Sequence, residues 1–315
     1  MTPPVPTSPI DSAAGILAVD KPVGPTSRAV LDRIGRLLPR GTRFGHAGTL
    51  DPAASGLLIV CLGSATRLIR LLHAAGKSYQ ATVRLGATSN TLDADGIISE
   101  TPDATAPTLE TIQAALVPLT GRVRQIPPAF SALKVGGQRA YDLARRGVSF
   151  ELQAREVQID RIAVLSYAWP LLELEIDCGS GTYIRSIARD LGEAVATGGL
   201  LQSLRRTRVG RLTLADAVPL DELTPESLPS QIRPARDAVA HLGQIALKPA
   251  QLALIRHGRP LDTRRVAGLD PAWDGAEIAL LDPAGGLAAI GRVELASSRL
   301  APTCVLPLSA SGDLK

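Results

Sequence analysis

Asp51 is the residue of this chain best placed to do chemistry. It lies among small residues and glycines (Gly45, Gly48, Gly56), with no lysine within ten positions and His46 as its nearest basic neighbour. Glycine admits backbone conformations closed to other residues and lets a ligand approach closely. The apolar run 57–62 that follows reads as a buried strand able to hold the loop rigid. A carboxylate so held is a candidate nucleophile or general base. Glycine, aspartate and proline together also suit a solvated turn, and residue types alone leave these two readings level. Two other side chains stand out. Arg185 falls in the first turn of a predicted helix, where the dipole disfavours a cation, so it calls for an anionic partner. Tyr79 opens a stretch of period-two alternation and faces its apolar side, where a tyrosine is ordinarily core.

Each of these needs support from regular elements. Residues 15–19 read as a strand and 20–27 as a turn, with Thr26 or Ser27 capping a helix whose Val30, Leu31, Ile34, Leu37 and Leu38 share one face. That leaves Arg28, Arg33, Arg36 and Arg40 for solvent or a phosphate backbone. Residues 77–86 alternate as a half-buried strand, 109–116 have helical spacing, and 172–178 alternate strictly as a strand with one polar face. A glycine-bearing turn at 179–182 then leads into a helix with Ile184, Ile187, Leu191 and Val195 in one stripe, ended by Gly198 and Gly199. Such a turn is a ready anion site, but no Gly-Lys-Ser/Thr follows and the dinucleotide fingerprint is incomplete. Residues 91–96 lack the later oxygen ligands of a calcium loop and read as an acidic turn. After an acidic, proline-bearing stretch at 215–234 the pattern shifts to short strands and turns, with a hairpin turning at 282–286.

At 315 residues the chain makes one large domain or two ordinary ones. Its net charge of +4 is modest, but the charge is segregated. Residues 21–50 hold six basic side chains against one acid, and 201–211 hold four arginines and no acid. Segregation of this kind suits a polyanionic partner gripped on one face, although arginine-rich helices are also ordinary solvated surfaces. Cys61, Cys178 and Cys304 are far apart and each in an apolar run, which argues for buried free thiols in a reducing cytoplasm and against a zinc site. No run approaches the length of a membrane-spanning helix. Residues 1–12, rich in Pro, Thr and Ser, read as a disordered leader.

Gly-His-Ala-Gly-Thr-Leu-Asp-Pro at 45–52, followed by Gly-Leu-Leu at 56–58, resembles the catalytic loop of the TruB family, bacterial tRNA pseudouridine synthases acting on the T-loop. Ala53 and Ser55 depart from the leucine and threonine usual there. The likeness extends over residues 13–212. It takes in Lys-Pro-x-Gly-x-Thr-Ser from Lys21, Lys-x-Tyr ending at Tyr79, Pro-Pro-x-x-Ser-Ala-x-Lys ending at Lys134, and Tyr-x-x-Ala-Arg ending at Arg145. Gly-Thr-Tyr-Ile-Arg, with Tyr183 and Arg185, and Leu-Arg-Arg-Thr from Leu204 complete it. Phe130 stands where the family usually has tyrosine. By this resemblance Asp51 is the catalytic residue, Arg185 pairs with it, and Tyr79 lies against the target base and shares in proton removal. The resemblance also implies that Leu204 closes the pocket, His46 fills the space left by the flipped nucleotide, and Lys21, Lys134, Arg145 and Tyr183 bind substrate.

The expectation is therefore an α+β protein: a mixed, mainly antiparallel sheet flanked by helices (the pseudouridine synthase fold), with a small C-terminal β-barrel that is PUA-like. Residues 13–235 would form the catalytic domain and 240–310 the RNA-binding one. The implied activity is conversion of uridine to pseudouridine at position 55 in the T-loop of tRNA, by a cytoplasmic monomer needing no metal or cofactor. A non-catalytic tRNA-folding chaperone using the same surface is one alternative. An aspartate-dependent nucleoside hydrolase or glycosidase is another, disfavoured because a retaining glycosidase needs two carboxylates about 5–5.5 Å apart and the motifs around Asp51 offer one.

Overall fold

In the computed structural model residues 15–131 and 133–307 are described; the expected leader at 1–12 lies outside them. By their contacts these residues divide into two units, one comprising the residues up to Pro52, Gly56–Ala75 and those from Val209 on, the other Ala53–Ser55 and Gly76–Arg208.

In the first unit the strand Gly15–Lys21 runs antiparallel to Ala54–Leu62, in register from Gly15 with Leu62 to Lys21 with Gly56. Phe44–Ala47 pairs with the far edge of Ala54–Leu62, while Val218–Pro219 and Arg233–Pro234 pair with Gly15–Lys21. Both faces of these strands are covered, which is why the sequence there is continuously apolar rather than alternating. Leu17, Val19, Leu58, Val60 and Leu62 pack under the helix Ser27–Leu37 through Val30, Leu31 and Ile34. Ile16, Ala18, Leu57, Ile59 and Cys61 face Leu68, Leu71 and Leu72 on the other side. Thr26 caps the helix, its hydroxyl accepting from Ala29 N.

The same unit holds a five-stranded sheet, in the order Gln244–Ala246, Glu277–Leu281, Leu287–Glu294, Arg299–Val305 and Leu261–Asp262. Glu277–Leu281 and Leu287–Glu294 form the hairpin expected from the turn chemistry. Contacts do not divide the chain at the composition shift near residue 240. Ala279, Ile290 and Leu306 belong to the same apolar cluster as Leu57 and Leu72. Arg70 reaches Glu277 through two hydrogen bonds of 2.6 Å.

The second unit is a sheet in the order Gly199–Val209, Lys77–Leu85, Leu171–Cys178, Arg155–Ala168 and Gly121–Gln125. Lys77–Leu85, Leu171–Cys178, Arg155–Ala168 and Gly121–Gln125 pair antiparallel in that order. Period-two alternation sorts the side chains. Tyr79, Ala81, Val83 and Leu85 join Leu172, Leu174, Ile176 and Cys178 beneath the helices Leu109–Leu116 and Ile184–Ala194. The opposite face is a polar ladder in which Ser166 donates to Glu173, Arg161 to Glu175, and Arg208 to Asp177. The mixed α+β class thus stands, with a mainly antiparallel sheet core.

Candidate active site

The loop bearing Asp51 is fixed from beneath within the first unit. Gly48 holds φ +91° and Gly56 +99°, values that cost an L side chain strain and glycine little. Ser27, in the helix's first turn, accepts from Leu50 N and donates to Leu50 O, both at 2.9 Å. Gly24 N donates to Pro52 O at 2.9 Å. Lys21 is 0% exposed, and its ammonium donates to the carbonyls of Pro22 (2.9 Å), Pro25 (2.8 Å) and Pro52 (3.4 Å). A buried cation of this kind is held by carbonyl dipoles in place of water, so Lys21 struts the loop instead of offering its charge at the surface. Asp51 itself is exposed at the loop's outer side, and His46 sits half-buried on Phe44–Ala47, opposite Val60.

In the second unit Tyr79 is 9% exposed, paired in register with Ile176 and packed in the cluster that Leu204 borders. Arg206, 1% exposed, is hydrogen-bonded to the Tyr79 phenol, and burial holds its pKa below the usual arginine value. Beside it, burial first and the Arg206 charge second bring the Lys77 ammonium down to about 8. Tyrosine and two cations therefore share one buried corner of the sheet.

Arg185 lies in the first turn of Ile184–Ala194 and is buried. Its guanidinium donates to Thr91 O at 3.2 Å and Phe130 O at 3.1 Å, and stands 3.2 Å from the Asp93 carboxylate. Within this unit Asp93, a residue the sequence offered only as part of an acidic turn, is one anionic partner of Arg185. Ala94 N donates to Leu201 O and Leu201 N to Leu92 O, so the turn is stitched to Gly199–Val209, and Leu92 takes φ +64° there. The Asp93 role left no local signal, because its partner is 92 positions away. Tyr183, just before the helix, carries the Arg155 guanidinium over its ring at 4.8 Å.

Lys134 and Arg145 lie exposed on a small outlying segment made of the ribbon Lys134–Val135 with Gln138–Arg139 and the helix Ala140–Arg145. Arg145 sits 5.9 Å from the Tyr141 ring, which meets Phe130 edge-on. The arginine clusters read as open polyanion surfaces prove partly occupied. Arg28 pairs with Asp32, Arg33 with Asp221 and Arg208 with Asp177, while Arg206 points inward and Arg205 reaches Ser55. Neighbouring residues on a strand face opposite ways, so Arg205 and Arg206 part, which a count of charges misses. Among the described residues no group of three His, Cys, Asp or Glu stands close enough to hold a metal ion, and no helix is long and apolar enough to cross a membrane.

Residues 36–184 match the N-terminal domain of TruB family pseudouridylate synthases, and residues 185–248 match the C-terminal domain of tRNA pseudouridylate synthase B. The chain is 47% identical over 277 residues to a protein of Mycobacterium sp. (strain KMS) named tRNA pseudouridine synthase B, covering 85% of this chain and 92% of that one. The chain belongs to the TruB family. A Mycobacterium tuberculosis protein of the same name is 43% identical, covering 86% of this TruB-family chain and 92% of the relative. Among solved structures, a Cbf5-Nop10-Gar1 complex contains a chain of the same fold at TM-score 0.74 and 25% identity, covering 98% of this chain and 91% of that one. An archaeal box H/ACA sRNP Nop10-Cbf5 complex gives TM-score 0.69 at 26% identity, covering 95% and 86%. The likeness reaches through the C-terminal sheet.

Proposed function

We propose that this chain isomerises uridine to pseudouridine in tRNA, at position 55 of the T-loop, with Asp51 as nucleophile on a flipped-out uridine. What carries the reading is the family match over residues 36–248, together with relatives at 43–47% identity named tRNA pseudouridine synthase B. The reaction breaks the bond from ribose C1′ to uracil N1, turns the base, and joins C1′ to C5. The C5 proton leaves and N1 gains one, so atoms balance with no redox change and no cofactor.

Each residue then has a task. Asp51 attacks as a carboxylate, and Arg185 is the cation that the TruB likeness assigns to it. Extruding the nucleotide costs a few kcal/mol; His46 fills the vacated space, and Lys134 and Arg145 hold the phosphate backbone. Tyr79 stacks on the uracil, retains it while it is detached and shares in removing the C5 proton. Leu204 closes the pocket and Tyr183 lines it. Lys21 serves the reaction by bracing the Asp51 loop. Residues 13–235 would act as the catalytic domain of a cytoplasmic monomer, with 240–310 as a PUA-like RNA-binding module.

The test is tritium release from tRNA labelled at uracil C5, with wild type and Asp51→Ala. Release by wild type alone, with pseudouridine at the T-loop site, is the expected result. Equal release by both removes Asp51 from the chemistry. Tight tRNA binding with no release by either points to a folding chaperone.

A further inference from the structure

The helix that carries Arg185 begins without a capping side chain of its own. Its N-cap is Tyr183, which has no oxygen able to cap the first turn. At N3, where a glutamate or glutamine would reach back to the N-cap N–H in a capping box, stands Ser186, whose hydroxyl donates instead to Ile126 O at 2.8 Å. The missing half of the box comes from another strand. Gln125, the last residue of Gly121–Gln125 and 2% exposed, accepts from Tyr183 N at 2.8 Å through Oε1 and donates to Tyr183 O at 3.1 Å through Nε2. One buried amide thus fixes both backbone groups of the N-cap peptide.

The same amide anchors the segment that receives the arginine. From Gln125 the chain runs through Pro127 and Pro128 to Phe130, whose carbonyl accepts from Arg185 at 3.1 Å. Along the way Ile126 O accepts from Ser186 Oγ and from Arg189 Nη2 at 3.1 Å. Gln125 therefore fixes the helix start from which Arg185 projects and the strand end from which its carbonyl acceptor extends. Arg155, opposite Gln125 in register, adds its guanidinium over the Tyr183 ring and a hydrogen bond to Gly181 O, bracing the same turn from outside.

We propose that Gln125 is a positioning residue for the reaction: its amide caps the Arg185 helix from a neighbouring strand and sets where the guanidinium stands. This rests on the role given to Arg185 above. Being buried, Gln125 does not meet RNA, so its loss acts on turnover and not on tRNA affinity. Gln125→Met keeps the length and packing and removes both hydrogen bonds. Gln125→Glu keeps the acceptor for Tyr183 N and, when ionised, loses the donor to Tyr183 O.

The experiment is steady-state tritium release from C5-labelled tRNA by wild type and both variants, well below their melting temperatures. For Gln125→Met we expect kcat to fall on the order of 10- to 100-fold, as misplacement of a catalytic group by a fraction of an ångström does, with KM for tRNA within about threefold of wild type. Gln125→Glu should retain more turnover than Gln125→Met. Adding Arg185→Lys to Gln125→Met should cost less than the product of the two separate losses, because both act on one guanidinium. A kcat within about twofold of wild type for Gln125→Met, or independent losses in the double variant, would overturn the assignment. Should Gln125→Met fail to fold, Gln125→Leu, which also lacks both hydrogen bonds, decides in its place: wild-type kcat in it defeats the proposal. No release by wild type removes the functional reading, and this inference with it.

Discussion

At the scale of single residues, the buried cations are the most informative feature. Lys21, Lys77, Arg185 and Arg206 are all buried, and backbone carbonyls are among the contacts of Lys21 and Arg185. A carbonyl neutralises nothing but solvates well, so it can hold a charge in place without cancelling its field. Lys77 has a measurable consequence. Its ammonium titrates at about 8 in the folded chain against an ordinary 10.5, chiefly through burial. Between those values the unfolded chain binds a proton that the folded chain does not, so stability from this group rises with pH across that window and is level below it. Thermal melts of wild type and Lys77→Met should therefore show wild type gaining on the variant from about pH 8 to about pH 10. A constant gap would mean that Lys77 titrates normally.

Elements take over where close packing decides the outcome. Ile184–Ala194 and the start of Gly199–Val209 approach so closely that a Cβ on Gly192 would lie 2.2 Å from Gly199 N and 2.3 Å from Gly198 C. Alanine ordinarily improves a helix interior by about 1 kcal/mol over glycine. Here the added methyl meets backbone that cannot swing aside, and overpacking costs about 1–3 kcal/mol or more. Gly192→Ala is expected to lower the urea midpoint; a raised midpoint would show that the strand yields. The helix stripe was legible in the sequence. Gly192 was not, because nothing local distinguishes a glycine packed on backbone from one in solvent.

For the whole molecule, the C-terminal sheet raises the question of how an appended segment is held. Arg70 and Glu277 form a bidentate pair, with Thr303 also donating to Glu277. The Arg70 hydrogen bonds come first among the causes that hold the Glu277 carboxyl below its ordinary range. The sign follows: this contribution is fully present above the ordinary glutamate pKa and is lost as pH falls through the lower folded value. Melting wild type and Glu277→Gln between about pH 7 and pH 3 should show a gap at neutral pH that closes in acid. A gap that persists there would assign the effect to packing.

The strands Gly121–Gln125, Arg155–Ala168 and Gly199–Val209 carried no signal that was read. What the sequence by itself determined was the family, the strands near 15–21, 54–62, 77–85 and 171–178, the hairpin turning at 282–286, and the helices near 27–37, 109–116 and 184–194. Those depend on local chemistry: motif residues in order, period-two and helical alternation, capping and turn residues, all read within a dozen positions. It also marked Arg185 as needing an anion. Only the tertiary structure decided that Asp93 and two carbonyls are among that arginine's partners, that Gln125 caps its helix, that Lys21 braces a loop, and that Arg206 turns inward toward Tyr79. Each of these joins groups distant along the chain, or depends on which face of a strand is covered. Sheet pairing settles such matters when it brings Gln125, Tyr183 and Arg185 within hydrogen-bonding reach, and no pattern local to any of them specifies it.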